Sequence, residues 1–372
     1  MLRLIHTADW QIGREFGQFE ADDAAALAAA RVEVVSRIVK YAASVEAKLI
    51  VVAGDVFDAP TIGDKLIRRV FDALNQYEGH WILLPGNHDP ALAAGVWVRA
   101  GAIGCVGPRT LVASEPGIIN IDTLRTSVLV APLTQRSTLA DTTDPFDQLV
   151  TPDGYFRVGV AHGSVSGLLP GETDAGNPIS ADRAVSARLD YLALGDWHGQ
   201  KKINEQCWYS GTPEPDRFRA NEPGYVLDVA LSSPGAMPKV VPIPVSRFRW
   251  HDIRVTLNDQ HDLESLDKQL ASLTSDDVVR LHIDGTLTLA QHQQVDDMID
   301  KAAAKTRGLR QERSGLNLTI SNDDFSSFEI DGYLAQVLDD LQSDKTDLPD
   351  AVRQEALRLF SQALSSRTQS AA

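Results

Sequence analysis

The chain has 372 residues, 43% of them hydrophobic and 23% charged, which excludes a disordered polymer and gives room for about two domains. Acidic residues outnumber basic ones 51 to 35, a formal net charge of -16, so no basic face can spread over the whole surface and a phosphate-bearing substrate has to be attracted locally. Two cysteines, Cys105 and Cys207, far apart and without C-x-x-C spacing, exclude a disulfide framework and a zinc knuckle. No leader-like segment precedes Leu2-Arg3-Leu4-Ile5 and no apolar stretch approaches 18 residues, so the expectation is a soluble, cytoplasmic protein without a membrane span.

Leu2 to Ile5 reads as a short strand that runs into the polar cluster His6-Thr7-Ala8-Asp9-Trp10-Gln11, where Asp9 is the first ligand candidate. From Asp22 the spacing predicts a helix, with Asp22 and Asp23 at its positive end and Leu27, Val34, Ile38, Tyr41 and Val45 at helical intervals. Leu49-Ile50-Val51-Val52-Ala53 is an apolar run without alternation, the pattern of a strand covered on both faces, and it stops at Gly54-Asp55. Ile62 to Tyr77 predicts a second amphipathic helix. Leu83-Leu84-Pro85-Gly86-Asn87-His88-Asp89 then repeats the pattern of an apolar run, a glycine and residues able to bind metal or move protons. This alternation predicts an α/β layout whose parallel strands deliver their C-terminal ends to one edge.

Further strands are expected at Ser127 to Ala131, Arg157 to Ala161 and Tyr191 to Leu194, the last two leading into His162-Gly163-Ser164 and Gly195-Asp196-Trp197-His198-Gly199. Leu168 to Arg183 reads as a connecting loop with some lid character. A strand and turn follow at Cys207 to Pro213, a strand at Gly224 to Leu231, and a final strand and linker at Met237 to Pro244. Trp250 to Leu257, Leu263 to Leu273, Val278 to Ile283, Leu289 to Lys305 and Gly315 to Ile320 form a β-α-β-α-β series without a ligand cluster. Asp331 to Leu341 and Leu348 to Leu364 read as two amphipathic helices.

Five strand ends thus bring together Asp9, Gln11, Asp55, Asn87, His88, His162, Asp196 and His198. Each taken singly suits a turn or a satisfied polar group; the ordered set does not. Carboxylate, amide and imidazole without thiolate suit Mn²⁺ best, with Mg²⁺ and Fe²⁺ as alternatives, rather than a structural zinc. A central carboxylate, for which Asp55 is placed, can bridge two ions ~3.5–4 Å apart. Arg14, Arg183 and Arg217 lie beside the motifs and are candidate phosphate contacts. No G-x-x-x-x-G-K-[ST] loop occurs, so ATP dependence has to come from a partner.

The order Asp9-x-Gln11, Gly54-Asp55-x-x-Asp58, Gly86-Asn87-His88-Asp89, His162-Gly163 and Gly195-Asp196-x-His198 resembles the calcineurin-like metallophosphoesterases. That resemblance implies a four-layer αββα sandwich over residues 1–245, a small α+β capping-like domain over 246–330 and terminal helices over 331–372. Within the superfamily, His6-Thr7-Ala8-Asp9-Trp10 and Tyr209-Ser210-Gly211-Thr212-Pro213 resemble the SbcD-type nuclease subunits of DNA repair. The resemblance implies two divalent ions, the first held by Asp9 and His198, the second by Asn87 and His162, and Asp55 shared. It makes His88 the general acid, with Asp89 orienting its ring, and DNA the substrate; an SbcC-like coiled-coil ATPase would dock on the terminal helices, and a homodimer fits the same pattern. Two positions depart from the pattern, Gln11 and Asp196 standing where the family has histidine, so a more oxygen-rich site is expected to favour hard ions. A phosphatase or cyclic-nucleotide phosphodiesterase on the same core, and a catalytically weakened scaffold, are the alternatives.

Overall fold

Side chains of the first strand, β1 (Leu2–Thr7), are divided between two apolar layers, Leu2 and Leu4 in one and Ile5 in the other, so the strand is covered on both faces. The computed structural model describes residues 1–165, 167, 176–219, 221–319, 333–342, 348, 349, 352, 353, 355–357, 359 and 360. The chain divides into two compact units, Met1–Arg249 and Trp250–Ala372. No helix among the described residues is long and apolar enough to cross a membrane.

In the first unit, β1 is followed by α1 (Ala21–Ser44), β2 (Leu49–Val52), α2 (Asp64–Leu74), β3 (His80–Leu83), α3 (Val96–Ala102) and β4 (Thr110–Val112). Strands β1 to β4 are parallel neighbours. The sheet is completed by β13 (Tyr225–Leu231), antiparallel to β1, and β14 (Lys239–Pro244), antiparallel to β13. A second sheet has β5 (Gly117–Ile121), β6 (Thr126–Ala131), β7 (Phe156–His162), β10 (Tyr191–Gly195), β11 (Lys201–Lys202) and β12 (Cys207–Tyr209) in the order β11-β12-β10-β7-β6-β5. Its four central strands are parallel. Between β7 and β10 lie the two-residue strands β8 (Ser164–Val165) and β9 (Pro178–Ile179), paired with each other, and the short helix α4 (Arg183–Ser186).

The sheets face each other through Leu4, Val51 and Ile82 on one side and Val128, Val158, Val160 and Ala193 on the other. The opposite face of the first sheet, with Ile5, Ile50 and Trp81, packs on Val35 and Ile38 of α1 and Ile67, Val70 and Phe71 of α2. The outer face of the second sheet, with Leu129, Ala161 and Leu192, is covered by Phe146, Ala184 and Leu189. This is the expected sandwich, with a thin fourth layer: among the described residues it holds the four-residue α4, the 3-10 turn Asp144–Asp147 and the two-residue strands β8 and β9. The sequence pattern offers no element for Val96–Ala102, where Gly101 interrupts the apolar spacing, nor for β4 and β5.

The second unit runs β15 (Arg249–Leu257), α5 (Gln260–Ala271), β16 (Asp277–Thr288), α6 (Leu289–Lys305) and β17 (Gly308–Thr319), the sheet ordered β15-β16-β17. Its core joins Leu257, Leu281 and Ile283 to Leu263, Leu266 and Val295. The strands β16 and β17 are each 12 residues long, well beyond the expected spans. In the helix Tyr333–Gln342, Leu338 and Leu341 pack against Leu289, Leu318 and Leu357 of the same unit. The helix expected at 348–364 and the tail fall largely outside the described residues.

Candidate metal centre

The polar residues that follow β1, β2, β3, β7 and β10 meet at one edge of the two sheets. Asp9, Asp55 and His162 each offer a ligand atom, and these atoms lie within 4.8 Å of one another. Asp9, Gln11, Asp55 and Asp196 are non-glycine residues at positive φ, 54°, 42°, 55° and 104°. Such conformations cost about 1–3 kcal/mol each and persist where the surroundings over-determine them. Here they are held by a ladder in which Asp9 N donates to Gly54 O at 3.1 Å and Gln11 N to Asp55 O at 2.9 Å. The glycines of the motifs allow the close approach: a Cβ on Gly54 would lie 2.1 Å from His162 Nδ1, and one on Gly86 2.2 Å from Asp55 Oδ1.

His162 is fully buried. Its Nδ1 lies 2.8 Å from Ala53 O, a carbonyl that only accepts, so Nδ1 carries a proton. Its Nε2 faces Asn87 Oδ1 at 3.1 Å, Asp55 Oδ2 at 3.6 Å and Asp196 Oδ1 at 3.8 Å. Acceptor atoms therefore crowd one imidazole nitrogen, an arrangement that a cation or a second proton on His162 reconciles. Burial alone would lower the His162 pKa, but the Asp55, Asp9 and Asp196 carboxylates outweigh it and raise the pKa to about 9. Asp9 carries a pKa above the usual carboxylate value, chiefly through burial. A buried, oxygen-rich, proton-hungry cluster fits a hard divalent ion, and Asp9, Asp55, Asn87, His162 and Asp196 are the residues that could hold it.

Asp196 N donates to both oxygens of Asp9, at 3.1 and 3.2 Å, which ties the ends of β1 and β10 together. His198 stands beside Asp216, with Nδ1 3.4 Å from Asp216 Oδ2. Although burial pushes Asp216 up, His198, Arg31 and Arg217 hold it well below the usual carboxylate range. Gln11 departs from expectation. Its Oε1 accepts from Arg14 Nη1 at 3.0 Å, so the amide oxygen assigned to a metal is already engaged.

His88 N donates to Asp55 Oδ1 at 2.9 Å, and His88 Nδ1 lies 2.9 Å from Asp58 O. Asp58 Oδ1 is buried without a hydrogen-bond partner, 3.8 Å from the same Nδ1. Asp58, and not Asp89, therefore orients the ring. The fully buried Asp89 carboxylate instead accepts from Phe57 N at 3.0 Å and Gly86 N at 2.7 Å, tying the loop after β3 to the loop after β2. Arg183 is likewise no phosphate contact: its guanidinium is bound by Asp141, Asp144, Asp147 and Thr143 Oγ1, and its side chain is 5% exposed. Arg14 and Arg217 do stand at the centre, with side chains 28% and 33% exposed.

Sequence reasoning missed the scaffold under the site. Arg31, in the middle of α1 and 1% exposed, donates to Trp10 O at 2.7 Å, Glu214 O at 2.8 Å and Thr212 Oγ1 at 3.1 Å, so one guanidinium joins the loops after β1 and β12. An arginine among helix residues reads as surface; the only cue is its place on the apolar face beside Leu27, Val34 and Val35.

Residues 2–166 match the calcineurin-like phosphoesterase family. The match covers β1 to β8, the part of the first unit that carries Asp9, Asp55, Asn87 and His162. No curated protein matches the chain. Among solved structures, TT1561 of Thermus thermophilus is similar at 14% identity and a TM-score of 0.42, over 66% of this chain and 99% of that one. A second crystal structure is similar at 11% identity and a TM-score of 0.43, over 66% and 99%.

Proposed function

We propose that the chain is a metal-dependent phosphodiesterase acting on DNA. The observation that carries metal dependence is the buried convergence of Asp55 Oδ2, Asn87 Oδ1 and Asp196 Oδ1 on His162 Nε2, lone pairs that a cation or a protonated imidazole has to reconcile. When bound there, a divalent ion lowers the pKa of a water and neutralises charge growing on a phosphoryl oxygen. The residues of the chain do the rest. Asp58 O fixes the proton of His88 on Nδ1, which leaves Nε2 to carry the second proton of the imidazolium to a leaving oxygen. The Asp58 carboxylate stands 3.8 Å from the same Nδ1. Arg14 and Arg217 flank the centre and can meet a phosphate with permanent positive charge.

DNA as substrate rests on the SbcD-like motifs at His6 to Trp10 and Tyr209 to Pro213. The same likeness makes a coiled-coil ATPase a partner of this reading. The terminal helices are the surface this reading assigns to it, with Leu338 and Leu341 partly buried against Leu289, Leu318 and Leu357. The net charge of -16 favours a second reading, a phosphatase or cyclic-nucleotide phosphodiesterase with a small substrate. Turnover of linear duplex and single-stranded DNA against a phosphomonoester, all with Mn²⁺, separates them. Cleavage of DNA is expected; turnover of the monoester alone would replace DNA by a small substrate, and bound metal without turnover of either would favour a scaffold.

A further inference from the structure

The ends of the Gln11 amide are sorted by their neighbours. Arg14 Nη1 can only donate, and it lies 3.0 Å from one end, so that end is the oxygen. The other end, Nε2, then faces Asp55 Oδ2 at 3.5 Å and His198 Nε2 at 3.1 Å. An N–H donor thus stands between a carboxylate and an imidazole, the position in which a cation would be shared by them. His198 Nδ1 lies 3.4 Å from Asp216 Oδ2 and 3.0 Å from Arg217 Nη2, and Arg217 grips the same carboxylate through Nε and Nη2, each at 3.1 Å. The side of the centre around Gln11 is therefore occupied by its own amide N–H and by the guanidinium groups of Arg14 and Arg217. On the other side, His162, Asn87, Asp55 and Asp196 present acceptors to one another.

We propose that the chain holds one divalent ion, among Asp9, Asp55, Asn87, His162 and Asp196, and that Gln11 Nε2, backed by Arg14, takes the place of a second ion between Asp55 and His198. The charges agree with this division. Three carboxylates, Asp9, Asp55 and Asp196, surround the one ion, while the guanidinium of Arg14, in contact with Asp216 at 3.4 Å and Asp58 at 3.7 Å, supplies on the other side a positive charge that no chelator removes. Gln11 is 1% exposed and hydrogen-bonded at both ends, so admitting an ion would break its contacts with Arg14, Asp55 and His198 in the interior.

The inference rests on the metal-dependent reading, and metal counting distinguishes the failure of either. The full chain, stripped with a chelator and titrated with Mn²⁺, is counted by elemental mass spectrometry and examined by electron paramagnetic resonance. The expected result is one Mn²⁺ per chain with the spectrum of magnetically isolated ions. Gln11→His, which exchanges the amide donor for a ligating imidazole, should rise to two ions per chain with a spin-coupled spectrum. Two ions and a coupled spectrum in the wild-type chain would overturn the proposal, and that measurement stands even if the variant does not fold. A variant that melts like wild type yet still binds one ion would also overturn it, since Gln11 would not be what excludes the second. No bound ion in the wild-type chain would overturn the metal-dependent reading as well.

Discussion

The two units repeat the same grammar of strand, helix and strand, yet they use the junctions between them differently. In the second unit the polar residues after β15 and β16 cap helices. Asp259 and Asp262 form a capping box on α5, and Thr288 and Gln291 form another on α6. In the first unit α1, α2 and α3 have no side-chain cap at all, and the polar residues after β1, β2 and β3 turn into the metal centre, Asp9, Gln11 and Asp55 at positive φ. Local stability and a functional site compete for the same few positions. Where the strand end carries chemistry, the helix start is left uncapped and the backbone is strained.

The sharpest test of that contrast is a side chain whose loss removes chemistry without removing structure. His88→Asn should lower phosphodiester cleavage by about 10²–10⁴-fold, the usual contribution of a general acid, while Mn²⁺ content stays near wild type. Retained cleavage would sink the assignment of the acid. Asp89→Ala should do the reverse of what a catalytic role implies. It strands the Phe57 and Gly86 amides in the interior, at about 1–3 kcal/mol for each unsatisfied group, so the main loss should appear as a lowered melting temperature. An Asp89→Ala chain that melts like wild type but no longer cleaves would restore the residue to the reaction.

These two residues also mark where the sequence stops being legible. The strand ends could be read because each apolar run is closed by a glycine and a polar residue, and that local signal located Asp9, Asp55, Asn87, His162 and Asp196 from the sequence alone. Roles set by neighbours in space could not be read in that way. Asp89 is next to His88 in its motif while Asp58 lies 30 residues earlier, and only the fold gives the ring to Asp58. Arg183 sits beside a motif but its carboxylate partners, Asp141, Asp144 and Asp147, lie about 40 residues earlier in the chain. The orientation of Gln11 depends on Arg14, one turn away, rather than on the residue type at position 11.

A second class of test uses protons. His6, buried between the sheets with Nδ1 2.9 Å from Tyr191 Oη and Nε2 3.1 Å from Leu194 O, has its pKa pushed by burial from the ordinary 6.5 down to about 3. Below pH 6.5 the unfolded chain takes up a proton here that the native chain refuses, so stability falls as pH is lowered, by at most about 1.4 kcal/mol per pH unit. His162 acts in the opposite direction. With its pKa raised to about 9 in the metal-free protein, its contribution is complete below 6.5 and is lost as pH rises through about 9. These two histidines thus bracket a stability maximum near pH 6.5 for the chelated protein. Mn²⁺ should erase the upper limb, because a ligating His162 holds no proton on Nε2. Urea midpoints measured across this range with chelator and with Mn²⁺ check both limbs; an upper limb that survives metal would remove His162 from the ligands.

The smallest effects test the trade itself, by removing a cap from one unit and adding one to the other. Thr288 Oγ1 accepts from Gln291 N, and Gln291 Oε1 accepts from Thr288 N at 2.9 Å. Thr288→Ala should destabilise α6 by about 1 kcal/mol, typical for a lost N-cap, and leave the cleavage rate unchanged. In the first unit Gly63 occupies the N-cap position of α2 at φ -67° and ψ 144°, and nothing lies within 4 Å of a Cβ built there. Gly63→Ser can adopt that backbone without strain and offer its hydroxyl to the first turn, where no side chain caps now, for a gain of a few tenths of a kcal/mol. Because Gly63 is in neither the ladder under Asp9 nor the loop that carries His88, the gain should come with unaltered Mn²⁺ content. If it instead weakens metal binding, the start of α2 is coupled to the centre, and its missing cap belongs to the site rather than to a competition between local stability and function.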